Sequence, residues 1–350
     1  MNYINEKYVH NLLANHYSLG VKHLITLLER LLSDLEVEGD PMPRQLLQHN
    51  LSGHRKRELS EFAKIDVDVV IELDNASKKV SVNLRDYRKH KEFERTFEER
   101  RVVMHIVNKH SEKTTWVIHL PLQAMMKGFG DPTEGYQCYS HAITMLDEDG
   151  KVRGKEMFYC GITSRSWLTR MAEHFREINS GSNKLFHKQW REFQGNASVI
   201  LNSELIALNH SYDAAMAWEE WIVDRYMNEN CSLNMIPGGF KGLKYLHKLV
   251  YLSRLDSVSL KDREAAISRY AQEHPRAGVP NLLIGQMWLN DEYYAKVIGS
   301  RGNTFSADDV ALIRSLAQSG KSTHEIAHQF GIENTQRIKN VLLGKTYYRM

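Results

Sequence analysis

Between Phe158 and His174 the chain reads FYCGITSRSWLTRMAEH, and its residue types suit phosphodiester chemistry. A strand-like run carries Tyr159, Gly161 turns the chain, and a helix follows with Arg170 and His174. One helical turn separates that pair, so both project from the same face. Phosphodiester hydrolysis develops charge on the non-bridging and leaving oxygens, and a fixed guanidinium stabilises it. Arginine suits a phosphate better than lysine because its planar donors bind two oxygens at once. A cation and an imidazole beside a strand-borne tyrosine are therefore the first candidates for a catalytic centre.

The elements around this stretch must position it. YQCYSHAITML, from Tyr136, reads as a strand, DEDGKVRGK as a polar turn and EMFYCGIT as the returning strand, so a hairpin feeds the helix. SNKLFHKQWREF, from Ser182, reads as a second helix with Leu185, Trp190 and Phe193 inward. ASVILNSELI is a further strand, and Ser211 starts a helix bearing Glu219 and Glu220. LNMIPGG closes the unit at Gly239. Trp167, Trp190, Trp218 and Trp221 read as core and interface packing.

Taken together, Tyr136 to Gly239 resembles the GIY-YIG nucleases. The parts stand in the family's order: a tyrosine-bearing strand, the Tyr159-Cys160-Gly161 strand, Arg170 to His174 on a helix, Glu219 on a later helix, then Leu233-Asn234 and Pro237-Gly238-Gly239. The first strand is not a GIY run, so Tyr139 and His141 both stand for its tyrosine position; two residues apart, they share a strand face. Glu219 is preferred over Glu220 from its spacing to Ile222 and Ala215.

The resemblance implies an α+β fold with a small α/β/α nuclease domain on a three-stranded antiparallel sheet. It implies that the tyrosines position or deprotonate the attacking water, that Arg170 holds the scissile phosphate and that His174 assists proton transfer. It further implies that Glu219 binds one divalent cation, Mg²⁺ or Mn²⁺, and that Asn234 supports the site through hydrogen bonds. Mg²⁺ keeps most of its waters, so a single carboxylate suffices. A tyrosine, with a reference pKa near ~10, is a poor base unless its neighbours depress that value; Arg170 and a metal are the candidates to do so. His187, Lys188 and Arg191 are candidates for a DNA-facing side.

The flanking regions read as accessory domains. Leucines at three- and four-residue steps from 8 to 36 predict a core helix or helix pair, interrupted near Ser18 to Gly20. VDVVIEL and KVSVNL predict a hairpin, with Asp66, Asp68, Glu72 and Asp74 as a solvated face in preference to a metal site. Residues 85 to 100 predict a charged, solvated helix in which Arg85, Arg88, Lys89 and Lys91 are phosphate candidates. RVVMHIV and TTWVIHL predict two more strands, and residues 121 to 135 either a connector or an ordered loop over the site. SLKDREAAISRYAQEH and PNLLIGQMWLNDEYYAKVI predict helices with no assigned chemistry, broken at HPRAG.

Near the C-terminal end SADDVALIRSLAQSG, STHEIAHQF and ENTQRIKNVLLG predict three helices, the second opened by the capping pattern Ser322 to Glu325 and the third preceded by a turn at Gly331. This resembles helix-turn-helix modules, including those appended to phage and mobile-element endonucleases. Ile326, Ala327, Phe330, Ile332, Ile338, Val341 and Leu342 are its expected core. Asn334, Thr335, Gln336, Arg337 and Asn340 are expected to face the major groove, and Lys339, Lys345 and Arg349 to touch phosphate.

The expected organisation is an N-terminal α+β domain over 1–130, a nuclease domain over 131–245, a helical connector over 246–300 and a helix-turn-helix over 301–350. Double-stranded DNA is the expected partner, and a double-strand break would require a homodimer or two binding events. A net charge of +3 adds little to that expectation. Three cysteines with no CxxC pair argue against a disulfide framework and fit a reducing cytoplasm. No run of about 18 apolar residues predicts a membrane span. A DNA-binding regulator that has lost cleavage, or a nuclease of RNA or branched DNA, are the alternatives.

Overall fold

The computed structural model describes all residues except 1, 14–19, 53–60, 75, 76, 78, 90–95, 97, 98, 110–114, 254–257, 276, 277, 279–290, 300–303, 348 and 350. Half of the expected charged helix over 85–100, including Lys91, and most of the expected helix from Pro280 lie outside the described residues. Where 85–100 is described at its start, it is not an α-helix: Arg85 and Asp86 end a strand and Tyr87–Lys89 form a short 3-10 turn. The chain forms two compact units, Met1–Val279 and Pro280–Met350.

In the first unit the leucine periodicity becomes α1 (Glu6–Leu13) and α2 (Val21–Val37), followed by α3 (Met42–Leu51). Leu24, Leu28, Leu32 and Leu35 form the buried stripe of α2. Seven strands then build one sheet: β1 (Val67–Asp74), β2 (Lys79–Asp86), β3 (Val102–Lys109), β4 (Thr115–Pro121), β5 (Tyr136–Met145), β6 (Met157–Thr163) and β7 (Val199–His210). Their order is β2-β1-β3-β4-β7-β5-β6. β5 pairs antiparallel with both β6 and β7, so the expected hairpin and third strand are present.

The sheet is not three-stranded, however. The long strand β7 uses Ile200–Glu204 to pair in parallel with Thr115–His119 of β4. This satisfies backbone groups that an edge strand would leave unpaired, and it joins the expected N-terminal and central regions through a continuous ladder. The acids of β1 also differ from expectation. β1 lies between β2 and β3, and Asp68 is buried with Oδ2 3.0 Å from His105 Nε2, so its face is not a solvated one. The solvated strand is β2, at the sheet edge. The segment after β4 is no loop over the site: Leu122–Met125 is buried, and Asn50 Nδ2 donates to the carbonyls of Gln123 and Lys127.

Helices α4 (Trp167–Asn179), α5 (Leu185–Phe193), α6 (Tyr212–Asn228), α7 (Gly239–Lys248) and α8 (Leu260–Glu273) complete the unit. Trp167 and Trp190 are core residues, whereas Trp221 is 58% exposed.

The second unit contains α9 (Asp291–Gly299), α10 (Ala307–Gln318), α11 (Thr323–Gln329) and α12 (Thr335–Leu342). Capping boxes open α10 at Ser306/Asp309 and α11 at Ser322/Glu325. Phe305, Val310, Ile313, Ile326, Ala327, Ile338 and Val341 form its core, with Phe330, Ile332 and Leu342 packed against it. No helix among the described residues is long and apolar enough to cross a membrane.

Candidate active site

The side face of β5 and β6 that meets α4 carries the aromatic and imidazole groups. Tyr139 lies opposite Gly161 and His141 opposite Tyr159 in the hairpin. Tyr139 covers Gly161: a Cβ there would lie 2.7 Å from the phenol oxygen, closer than real contacts allow. The glycine thus makes room for the tyrosine above it. Gly161→Ala is expected to overpack this spot at a cost of about 1–3 kcal/mol and lower the melting temperature by several degrees. A thermal melt shifted by less than a degree would contradict the close packing.

Tyr139 Oη stands 3.3 Å from His174 Nε2, and His174 Nδ1 is 2.9 Å from His187 Nε2. His187 Nδ1 in turn faces a Glu177 oxygen at 3.8 Å. A phenol, two imidazoles and a carboxylate therefore line up from the cavity to the partly exposed Glu177. His187 is fully buried and does not belong to a DNA-facing side; on α5 it points at α4, a direction that local spacing did not reveal.

His141 and Tyr139 take different places on their shared face. His141 is wholly buried, lies parallel to the stacked rings of Tyr159 and Phe186, and places Nδ1 2.9 Å from Ser203 Oγ. Trp116 Nε1 donates to the same hydroxyl at 2.9 Å, so β4 braces the site from behind. Tyr139, together with Tyr159, Arg170 and Glu219, lines a cavity of about 600 Å³. Of the two first-strand candidates, the one that lines the cavity is thus Tyr139.

Arg170 is buried among carboxylates. Nη1 is 3.0 Å from Glu173 Oε2 and 3.2 Å from Glu177 Oε1, and Nη2 is 2.6 Å from Glu264 Oε2. Lys184 Nζ joins Glu177 at 2.6 Å and Glu264 at 3.0 Å. Burial by itself would raise the Glu264 carboxyl, but Lys184 and Arg170 hold it down at about 2.

Glu219, not Glu220, is the acid at the cavity. Its Oε2 accepts from Gly239 N at 2.9 Å and lies 2.7 Å from Arg263 Nη1, whereas Glu220 accepts from Lys241 N. The Pro-Gly-Gly turn makes this possible. A Cβ on Gly238 would fall 2.2 Å from Glu219 O and one on Gly239 2.1 Å from Met216 O, so only glycine lets the loop backbone touch α6. Asn234 grips Cys160 of β6 through both backbone groups, accepting from N at 2.9 Å and donating to O at 2.8 Å.

Burial sets the protonation states. It raises both phenols, Tyr139 and Tyr159, and the opposing pull of Arg170 is too small to restore them. The expectation that Arg170 would depress a tyrosine into a useful base is therefore corrected for this conformation. Burial pushes His141 down to about 3, His187 to about 2 and His174 well below its usual value, with Arg170 adding to all three and Lys184 to the last two. All three imidazoles are neutral near pH 7.

Among the described residues no trio of His, Cys, Asp or Glu converges as a metal cluster, so a cation would rest on Glu219 and its own waters. As the site stands these residues do not fit one, because Arg263 already holds the Glu219 oxygen that a cation would take. Arg263, Glu264 and Lys184 were not singled out by sequence, and no local motif marks them.

The expected DNA contacts are variously engaged. Lys188 Nζ donates to Pro275 O at 2.8 Å, and Arg191 donates to Ile178 O and Ser182 O at 3.1 and 2.7 Å. Arg88 is committed to Asp40 and Asp86. In the second unit Asn334 caps α12 by accepting from Gln336 N, Gln336 donates to Asn340, and Arg337 lies over the Phe305 ring. Arg349 pairs with Asp291. Thr335 and Asn340 are half-buried, while Lys339 and Lys345 are exposed. No protein-family model, no curated protein and no solved structure matches the chain.

Proposed function

We propose that the chain is an endonuclease that hydrolyses phosphodiester bonds of double-stranded DNA, with the helix-turn-helix-like second unit as its DNA reader. The observation that carries the reading is the convergence of residues far apart in sequence on one cavity: Tyr139, Tyr159, Arg170 and Glu219 line it. His174 stands behind Tyr139, and Asn234 fixes the strand that carries Tyr159. The arrangement supports the resemblance of the sequence to the GIY-YIG nucleases.

In this reading Arg170 holds non-bridging oxygens of the scissile phosphate and offsets the charge that grows on them. Tyr139 and Tyr159, kept protonated by burial, orient the attacking water through their hydroxyls. The neutral His174 accepts at one nitrogen and donates at the other, so a proton arriving from Tyr139 has a path toward His187. No step is routed through a metal, since the present arrangement does not accommodate one.

The test is cleavage of linear and plasmid DNA by the full chain with added Mg²⁺ or Mn²⁺, beside Arg170→Ala. Cutting that disappears in the variant supports the reading. Cutting that persists in Arg170→Ala, or its absence from every form of the chain, defeats it. Preference for RNA or branched DNA would redirect the substrate class.

A second reading is a DNA-binding regulator on a nuclease-like scaffold. It is favoured by one observation, the internal neutralisation of Arg170 and Glu219. Both readings expect the second unit to bind DNA electrostatically. Removing residues 301–350 should weaken duplex binding at least tenfold while leaving the single-turnover rate on saturating DNA within about threefold. Lys339→Ala and Lys345→Ala should each reduce the slope of log affinity against log salt by about 1. Binding that ignores salt would rule out phosphate contacts by this unit.

A further inference from the structure

We propose that α8 is a removable plug, which holds the candidate site shut by presenting Arg263 to the Glu219 carboxylate and Glu264 to the Arg170 guanidinium. The inference rests on the nuclease reading and adds a mode of control to it.

The two groups are adjacent in sequence, opposite in charge, and matched to the two site residues whose ligands have opposite charge. Arg263 Nη1 lies 2.7 Å from Glu219 Oε2, where a divalent cation would bind. Glu264 Oε2 lies 2.6 Å from Arg170 Nη2, where a phosphate oxygen would bind. Lys184 reinforces the second contact at 3.0 Å. A guanidinium thus stands in for the cation and a carboxylate for the phosphate. The start of α8, Ser259 and Leu260, also walls the cavity beside Tyr139 and Tyr159.

The helix is anchored elsewhere. Ala266, Tyr270 and Ala271 are buried, and Tyr270 Oη is 3.0 Å from Tyr245 Oη. In the proposed opening its N-terminal turns leave the site while these contacts persist. The energetics suit a reversible plug, because a buried ion pair nearly breaks even against the cost of desolvating its partners. A phosphodiester and a cation arriving together supply Arg170 and Glu219 with equivalent partners, so no buried charge is left alone. With the plug withdrawn, a phosphodiester by itself would leave Glu219 without Arg263, and a cation by itself would leave Arg170 without Glu264. Binding of DNA and of metal should therefore be mutually reinforcing.

The test uses the full chain carrying Arg263→Met and Glu264→Gln, which keep side-chain volume and remove both charges. Two readouts are compared with wild type: Mn²⁺ binding followed by electron paramagnetic resonance, and single-turnover cleavage of duplex DNA. The expected result is Mn²⁺ affinity raised at least tenfold and cleavage at sub-saturating Mn²⁺ raised at least tenfold. Adding Glu219→Gln should cancel both gains. If the double variant fails to fold by circular dichroism, Glu264→Gln alone carries the test, through tighter DNA binding at Arg170 that Arg170→Ala removes. Equal metal binding and equal cleavage in wild type and variant would overturn the plug and leave the nuclease reading intact. Silence of both on DNA would take down the nuclease reading and the plug with it.

Discussion

Arg170→Ala is expected to remove DNA cleavage by a factor of about 10³ or more and, separately, to destabilise the fold by about 3–5 kcal/mol. The two losses have different origins. The first, in the proposed nuclease reading, is the loss of the group that offsets charge on the phosphate in the transition state. The second arises in the resting protein, where Arg170 is buried and shared by Glu173, Glu177 and Glu264. Without it, Lys184 is left to serve Glu177 and Glu264, and Glu173 keeps its exposed partner Arg165. Repulsion among the carboxylates then adds to the cost of burying them.

Arg170→Lys separates the effects. A lysine restores the positive charge beside the carboxylates but not the planar fork that binds two phosphate oxygens. It should recover more than half of the lost melting temperature and little of the cleavage. The comparison is cleanest in the Arg263→Met/Glu264→Gln background, in which Glu264 no longer competes for the guanidinium. Arg170→Lys cutting as fast as its parent would show that paired donors are not what the reaction needs.

The second large effect is acid sensitivity. His141, His174 and His187 are held neutral by burial, with His141 at about 3 and His187 at about 2. Above an unfolded-state pKa of about 6.5 these groups are neutral in both states and contribute nothing to pH dependence. Below it the unfolded chain takes up protons that the folded chain refuses, so stability falls as pH falls. At pH 5 His141 and His187 each cost on the order of 2 kcal/mol, a large share of an ordinary domain's stability, and His174 acts in the same direction.

Glu264 acts in a lower window. Its folded carboxyl is depressed to about 2, so its contribution is present above the unfolded value near ~4.3 and disappears only as pH falls toward 2. It offers no compensation between pH 6.5 and 4.5. Thermal melts across pH 4.5–7.5 should therefore show a steep decline on the acid side. His187→Gln should make that decline shallower by about one third, since one of three titrating groups is gone. A melting temperature unchanged from pH 7 to pH 4.5 would refute the neutral, buried assignment.

Local chemistry accounts for what was legible in the sequence. Leucine spacing marks α2, alternating β-branched residues mark β1 to β4, and Ser322 with Glu325 marks the start of α11, because each signal is written within a few residues. The glycines of YxG and PGG are legible for a related reason. Each sits where another backbone or side chain approaches too closely for a Cβ, under Tyr139 and against α6. Even the direction of Arg170 and His174 follows from a helical turn, and both are indeed buried on one face of α4.

What the sequence determined by itself was therefore most of the elements, the buried faces of α2 and α4, and four of the side chains that line the cavity, Tyr139, Tyr159, Arg170 and Glu219. Tertiary structure alone decided three further matters. It joined β4 to β7 in one seven-stranded sheet, because strand edges seek any unpaired backbone and leave no local mark of their choice. It turned His187 inward to His174, which depends on how α5 packs against α4. It also brought Arg263 and Glu264 onto Glu219 and Arg170. On α8 these two look like ordinary charged helix residues; only the burial of their partners gives them meaning. In FYCGITSRSWLTRMAEH the arginine, the histidine and the tyrosine were visible from the start, and the helix that closes over them was not.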